Sequence, residues 1–138
     1  MGGDKKDKMI EEYRYFVESE CRKYKISTPQ VFYKKMKNDG LYWNEKMYIN
    51  TGLNKQYAND SMLHELAHHI DFTTNRREWR TMKIKKGGVK RLYHDKHFFE
   101  ILWELATDFY GNPKKYAWNI ESLSIQKMYQ KKVNRLKV

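Results

Sequence analysis

The chain has 138 residues, enough for one compact domain and too few for two ordinary ones, so a single domain spanning 1–138 is expected. Hydrophobic residues make up 40% and aromatics 15%, sufficient bulky apolar material for a core, and the lone cysteine, Cys21, excludes a disulfide framework or a cysteine-built zinc ribbon and suits a reducing compartment. The net charge of +11, from 28 Lys+Arg against 17 Asp+Glu, favours polyanionic partners, although lysines spread over helix surfaces also serve solubility alone.

At the N-terminus, Met1-Gly2-Gly3-Asp4-Lys5-Lys6 has no apolar stretch for a signal peptide, and Lys6 stands where a myristoylation signal wants Ser or Thr. A helix is predicted from about Lys5 to Lys25, because Ile10, Tyr13, Val17, Cys21 and Tyr24 recur at helical spacing, with Ser27-Thr28-Pro29 ending it. Gln30 to Lys37 contains the β-formers Val31, Phe32 and Tyr33 and reads as a strand, followed by Asn38-Asp39-Gly40, whose Asp-Gly pair signals a two-residue hairpin. Leu41-Tyr42-Trp43 fits a second strand and Asn44-Glu45 a turn. Lys46 to Asn50 alternates as a third strand with Met47 and Ile49 on one face, completing a small antiparallel meander.

Asn59, Asp60 or Ser61 can cap a helix lasting to about Phe72. From Thr73 to Tyr93 periodicity is lost and Arg76, Arg77, Arg80, Lys83, Lys85, Lys86, Lys90 and Arg91 surround Gly87-Gly88, which reads as a long basic loop. Phe98, Ile101, Leu102, Leu105 and Phe109 give a third helix starting near Asp95 and stopped by Gly111-Asn112-Pro113. A last helix is predicted over about 114–137, most regular at Ile125, Met128, Tyr129, Val133 and Leu136. The expected class is α+β: an N-terminal helix, a three-stranded antiparallel sheet, and three further helices. No apolar run reaches bilayer-spanning length, so a cytoplasmic protein without a membrane partner is expected.

The second helix carries His64-Glu65-Leu66-Ala67-His68. At about 100° per residue, His68 falls about 40° from His64, so both imidazoles share one face and can grip one ion. Leu63, Leu66, Ala67 and Ile70 gather on another side, suited to burial. Glu65 flanks the histidines, where it can take a proton from a water activated by the metal. Two neutral imidazoles suit one Zn²⁺ ion, and a catalytic site needs a third protein ligand plus an open position. A chance match on an ordinary core helix is the bland alternative, and the segregation of faces weighs against it.

These five residues, preceded by a strand ending Ile49-Asn50 and followed by His94-Asp95-Lys96-His97-Phe98, resemble the SprT-like zinc metallopeptidases and related small gluzincin-like domains over about residues 46–109. In that family the third zinc ligand is a His opening the next helix in a His-x-x-x-Phe pattern, usually with Gly second. His94 matches the ligand and Phe98 the aromatic, Asp95 departs from the Gly, and the family's second-half zinc ribbon has no counterpart. The resemblance implies a zincin-like fold, one Zn²⁺ and peptide-bond hydrolysis.

His97, one turn beyond His94, is an alternative ligand or a group contacting the substrate or oxyanion. Glu104 with Asp108 matches a gluzincin Glu-x-x-x-Asp pattern, but Glu104 reads first as a solvated or capping charge on the back of the third helix. His69 reads as a surface residue or one supporting a ligand, Asp71 shares the histidine face and can orient an imidazole, and Thr74 is no metzincin ligand. Tyr93 is a candidate electrophilic hydroxyl. Met47, Tyr48 and Ile49 are the candidate sheet edge for pairing with an extended peptide. The implied function is a zinc metalloendopeptidase acting on protein or peptide. The competing expectation is a DNA- or RNA-associated binding module with a structural or degenerate zinc site, working through the basic segment 76–91.

Overall fold

The computed structural model describes residues 2–37, 40–43, 45–50, 52, 54–74, 81–83, 89–91 and 95–136. Their contacts divide the chain into two units, Met1–Ile70 and Asp71–Val138.

In the first unit, helix α1 (Gly2–Lys23) ends on a left-handed residue that is not glycine: Lys25 has φ 59°. The Ile26 N–H donates to Cys21 O and the Lys25 N–H to Arg22 O, the paired bonds that satisfy a helix's last carbonyls. The stop therefore comes before Ser27-Thr28-Pro29. Burial, then the charge of Glu20, pushes the Cys21 thiol up to about 12, so it stays protonated.

Strands β1 (Gln30–Lys34), β2 (Gly40–Trp43) and β3 (Lys46–Asn50) form one sheet in the order β1-β3-β2. β3 runs parallel to β1, with Gln30 opposite Lys46 and Lys34 opposite Asn50, and antiparallel to β2, with Gly40 opposite Ile49 and Trp43 opposite Lys46. The sheet is thus mixed, which corrects the antiparallel meander. β1 and β2 are not neighbours, so they do not form the hairpin that Asp39-Gly40 suggests; the adjacent antiparallel pair is β2 and β3, with Trp43 opposite Lys46 and Glu45 between them at φ 61°. The central place goes to the strand with most to hide: Met47 and Ile49 are fully buried, whereas Phe32 of β1 and Leu41 of β2 stay exposed. Met47, Tyr48 and Ile49 consequently are not a sheet edge. Their strand is hydrogen-bonded on both sides, and β1 and β2 are the outer strands.

Buried Asn50 fixes the end of β3. Its Oδ1 accepts from the Met36 N–H (3.3 Å) and the Gly52 N–H (2.8 Å), and its Nδ2 donates to Met36 O (2.8 Å). Asn50→Ala strands three backbone groups, so a loss of about 2–3 kcal/mol is expected by urea unfolding, with Asn50→Asp recovering only the two accepted bonds.

Helix α2 (Lys55–Thr74) starts earlier than the sequence suggests. Asn54 is the cap: its side chain accepts from the Tyr57 N–H at 3.0 Å and its carbonyl from Ala58. Asn59, Asp60 and Ser61 are instead buried inside the helix, where Asn59 Oδ1 accepts from the Tyr13 hydroxyl of α1 at 2.5 Å. Tyr13, Val17 and Cys21 of α1, Met47 and Ile49 of β3, and Met62, Leu63 and Leu66 of α2 form this unit's core.

In the second unit, the segment expected to be an irregular basic loop contains a hairpin of β4 (Thr81–Lys83) and β5 (Val89–Arg91), with Thr81 opposite Arg91. Helix α3 (Lys96–Tyr110) has the expected bounds, and its caps explain them: Asp95 Oδ1 accepts from the Phe98 N–H at 3.1 Å, and the N–H of Gly111, a residue at φ 77°, donates to Thr107 O. The last helix is shorter than 114–137. Two 3-10 turns, Pro113–Lys115 and Trp118–Ile120, precede α4 (Leu123–Leu136). Packing of Trp118 explains this: its Nε1–H donates to Pro113 O, and its ring stacks on Tyr129 of α4 (4.9 Å, 17°) and meets Phe99 and Trp103 of α3. Among the described residues no helix is long and apolar enough to cross a membrane.

Candidate metal centre

From Ala58 to Asp71, α2 is buried at every residue except two, His64 and His68. A helix hidden on nearly all sides is ordinarily apolar all round. This one opens to solvent only at two imidazoles one turn apart. Their Nε2 atoms lie 3.2 Å from each other and the rings meet edge to face at 77°. Two Nε2 donors at zinc–nitrogen distances in tetrahedral geometry are separated by about 3.3 Å. The pair therefore suits one zinc ion as it stands, and without metal the same spacing admits an N–H···N hydrogen bond.

Glu65, between them in sequence, is 7% exposed and packs against β2. A methyl group on Gly40 would sit 2.3 Å from Ser61 Oγ and 3.2 Å from Glu65 Oε2. Gly40 thus serves the close approach of the β2 backbone to α2, not the turn that Asp39-Gly40 suggests. Sequence reasoning missed this residue, and its signal was a glycine opening a strand.

His69 is buried, not on the surface. Its Nε2–H donates to Ser27 O at 2.8 Å, which leaves Nδ1 to accept from the Tyr42 hydroxyl at 2.9 Å. The ring ties α2 to β2 and to the segment between α1 and β1. Burial lowers the His69 pKa, outweighing the Ser27 bond and the Glu45 charge, while burial raises that of the Tyr42 hydroxyl. Since the folded pKa of His69 lies below its unfolded value near 6.5, the unfolded chain binds more protons between those two values. Stability contributed by the neutral ring is complete above pH 6.5 and is lost as pH falls through the folded pKa. Urea unfolding of the metal-free protein should therefore show a midpoint that drops on acidification from pH 7, with a shallower drop in His69→Gln.

In the second unit, His97 in the first turn of α3 donates from Nδ1 to Asp71 Oδ1 at 2.5 Å, with the Asp71 side chain 2% exposed and that of His97 42% exposed. The buried carboxylate fixes the ring, and in the neutral imidazole it leaves the lone pair on Nε2. Asp71 was expected to orient His64 or His68, whose helix face it shares; the imidazole it holds here is that of His97. Glu104 and Asp108 lie on the exposed side of α3. His94 and Tyr93, expected as third ligand and electrophile, lie outside the described residues, as does most of 76–91. Among the described residues no group of three or more His, Cys, Asp or Glu converges as a metal cage; what they bring together is the His64–His68 pair. No protein-family model, curated protein or solved structure matches the chain.

Proposed function

We propose that the protein is a zinc-dependent peptide hydrolase in which His64 and His68 hold the ion and Glu65 carries the proton. The observation that supports this most directly is the opening of a buried helix at two imidazoles whose Nε2 atoms stand 3.2 Å apart. Zinc, when bound there, polarises the scissile carbonyl and makes water a competent nucleophile near neutral pH.

The chain's own residues do the rest. Glu65 takes the proton of the attacking water and returns it to the leaving amine, a general base and then a general acid. Its burial excludes competing water from the carboxylate. His69, held at both nitrogens, keeps β2 against the helix. Among the described residues β2 pairs with β3 alone, so its outer side offers main-chain groups to an extended substrate beside Glu65, the role first expected of β3. His94 is the proposed third ligand, on the family resemblance, and the fold is proposed to be zincin-like. Glu65→Gln tests the reading when zinc content and casein hydrolysis are measured together: hydrolysis that survives at full zinc loading ends it.

A further inference from the structure

The sheet's other face carries a second surface, unrelated to the metal pair. Cross-strand register places Phe32, Tyr48 and Leu41 in one row across β1, β3 and β2, pointing away from the face that holds Met47 and Ile49. Phe32 is 41% and Leu41 43% exposed. The Phe32 and Tyr48 rings are stacked, 5.1 Å between centroids and 18° between planes, and Lys34 Nζ stands over the Tyr48 ring at 5.1 Å. Isolated exposed apolar residues need no explanation. A register-matched aromatic row with an ammonium poised on it is a different matter, because the stack holds its rings rigid while Phe32 retains an open side.

The charged side chains described on this face of the strands are lysines, and the one described carboxylate at its border is that of Glu45, in the turn before Lys46. Among the strand residues whose side chains are described, the positions of this parity are Gln30, Phe32 and Lys34 on β1, Leu41 on β2, and Lys46, Tyr48 and Asn50 on β3, and none is a carboxylate. Exposed Lys35 and Lys37 follow directly after β1. Rings that can continue a stack, beside amines spaced to meet phosphates, suit unpaired bases on a phosphate backbone. A peptide strand would take its main-chain bonds along an outer strand rather than on this face, and a second copy of the chain would set these lysines against their own kind. We infer that the Phe32–Tyr48–Leu41 face binds single-stranded nucleic acid, a base stacking on the exposed ring of Phe32 while Lys34 and Lys46 meet the flanking phosphates. A duplex, its bases already stacked, has no ring face to offer.

The test is fluorescence anisotropy of a labelled oligo(dT) of about 12 nucleotides with the full chain over a salt series. Phe32→Ala should weaken binding roughly tenfold with little change in the salt slope, because it removes a stack and no charge. Phe32→Leu, which keeps apolar bulk and so the fold, should lose nearly as much, and Phe32→Tyr should retain wild-type affinity. Lys34→Gln should reduce the salt slope by about one. Circular dichroism verifies the fold of each variant. The inference is overturned if folded Phe32→Ala and Phe32→Leu bind as the wild type does, which would leave the attraction to the basic residues between 76 and 91. It is overturned equally if duplex DNA competes as well as single-stranded DNA, if no binding is seen, or if the Phe32 variants change only self-association in sedimentation.

Discussion

Glu65→Gln is expected to leave zinc stoichiometry at the wild-type level and to lower hydrolysis by about 10²- to 10⁴-fold, the usual worth of a positioned general base. The amide is nearly isosteric with the carboxylate, so it can occupy the same buried position beside Gly40 and Ser61 without forcing β2 away. It cannot accept the proton. Because that transfer belongs to the transition state, the loss should fall on kcat and leave KM close to its original value. Zinc binding should survive, since Glu65 projects about 100° around the helix from His64. Metal content by atomic absorption, alongside steady-state hydrolysis of a fluorogenic peptide, reads both quantities from one preparation. A variant that loses zinc as well as activity would make Glu65 part of the metal's support, and one that keeps activity would remove it from the chemistry.

The parts of this site fixed by local geometry are the parts that the sequence displays. A spacing of four residues on a helix determines that His64 and His68 meet, whatever the rest of the chain does. α3 is equally plain, because Asp95 and Gly111-Asn112-Pro113 mark both ends of a clean apolar stripe. Strand order is another kind of information. β1 and β2 are both short, aromatic and half-exposed, and nothing local says which lies beside the other, so the Asp39-Gly40 signal pointed to a hairpin when Gly40 was needed against Ser61 and Glu65. A left-handed lysine likewise gives no warning that α1 ends at Lys23. Trp118 reads as one more aromatic residue until its stacking on Tyr129 shows why the chain turns twice before α4 begins.

His94→Ala is expected to weaken zinc binding by roughly two orders of magnitude, and His97→Ala by less than tenfold, in competition against a chromophoric chelator. On the proposed reading, losing His94 would leave only the His64–His68 pair to hold the ion, and loosely. Both candidates belong to the same short stretch, and the surroundings of His97 offer a third substitution that tells them apart. The His97 Nδ1–H is held by buried Asp71, and a carboxylate bonded to an imidazole in this manner makes the opposite nitrogen a better donor to metal or a better partner for developing negative charge. Asp71→Asn separates the two. If His97 is a ligand, weakening of that support should cost 10- to 100-fold in zinc affinity, in step with His97→Ala. If His94 is the ligand, Asp71→Asn and His97→Ala should both leave zinc affinity nearly untouched and lower kcat together, with no further loss in the double variant, because a carboxylate that acts only through His97 has nothing left to act on once that ring is gone.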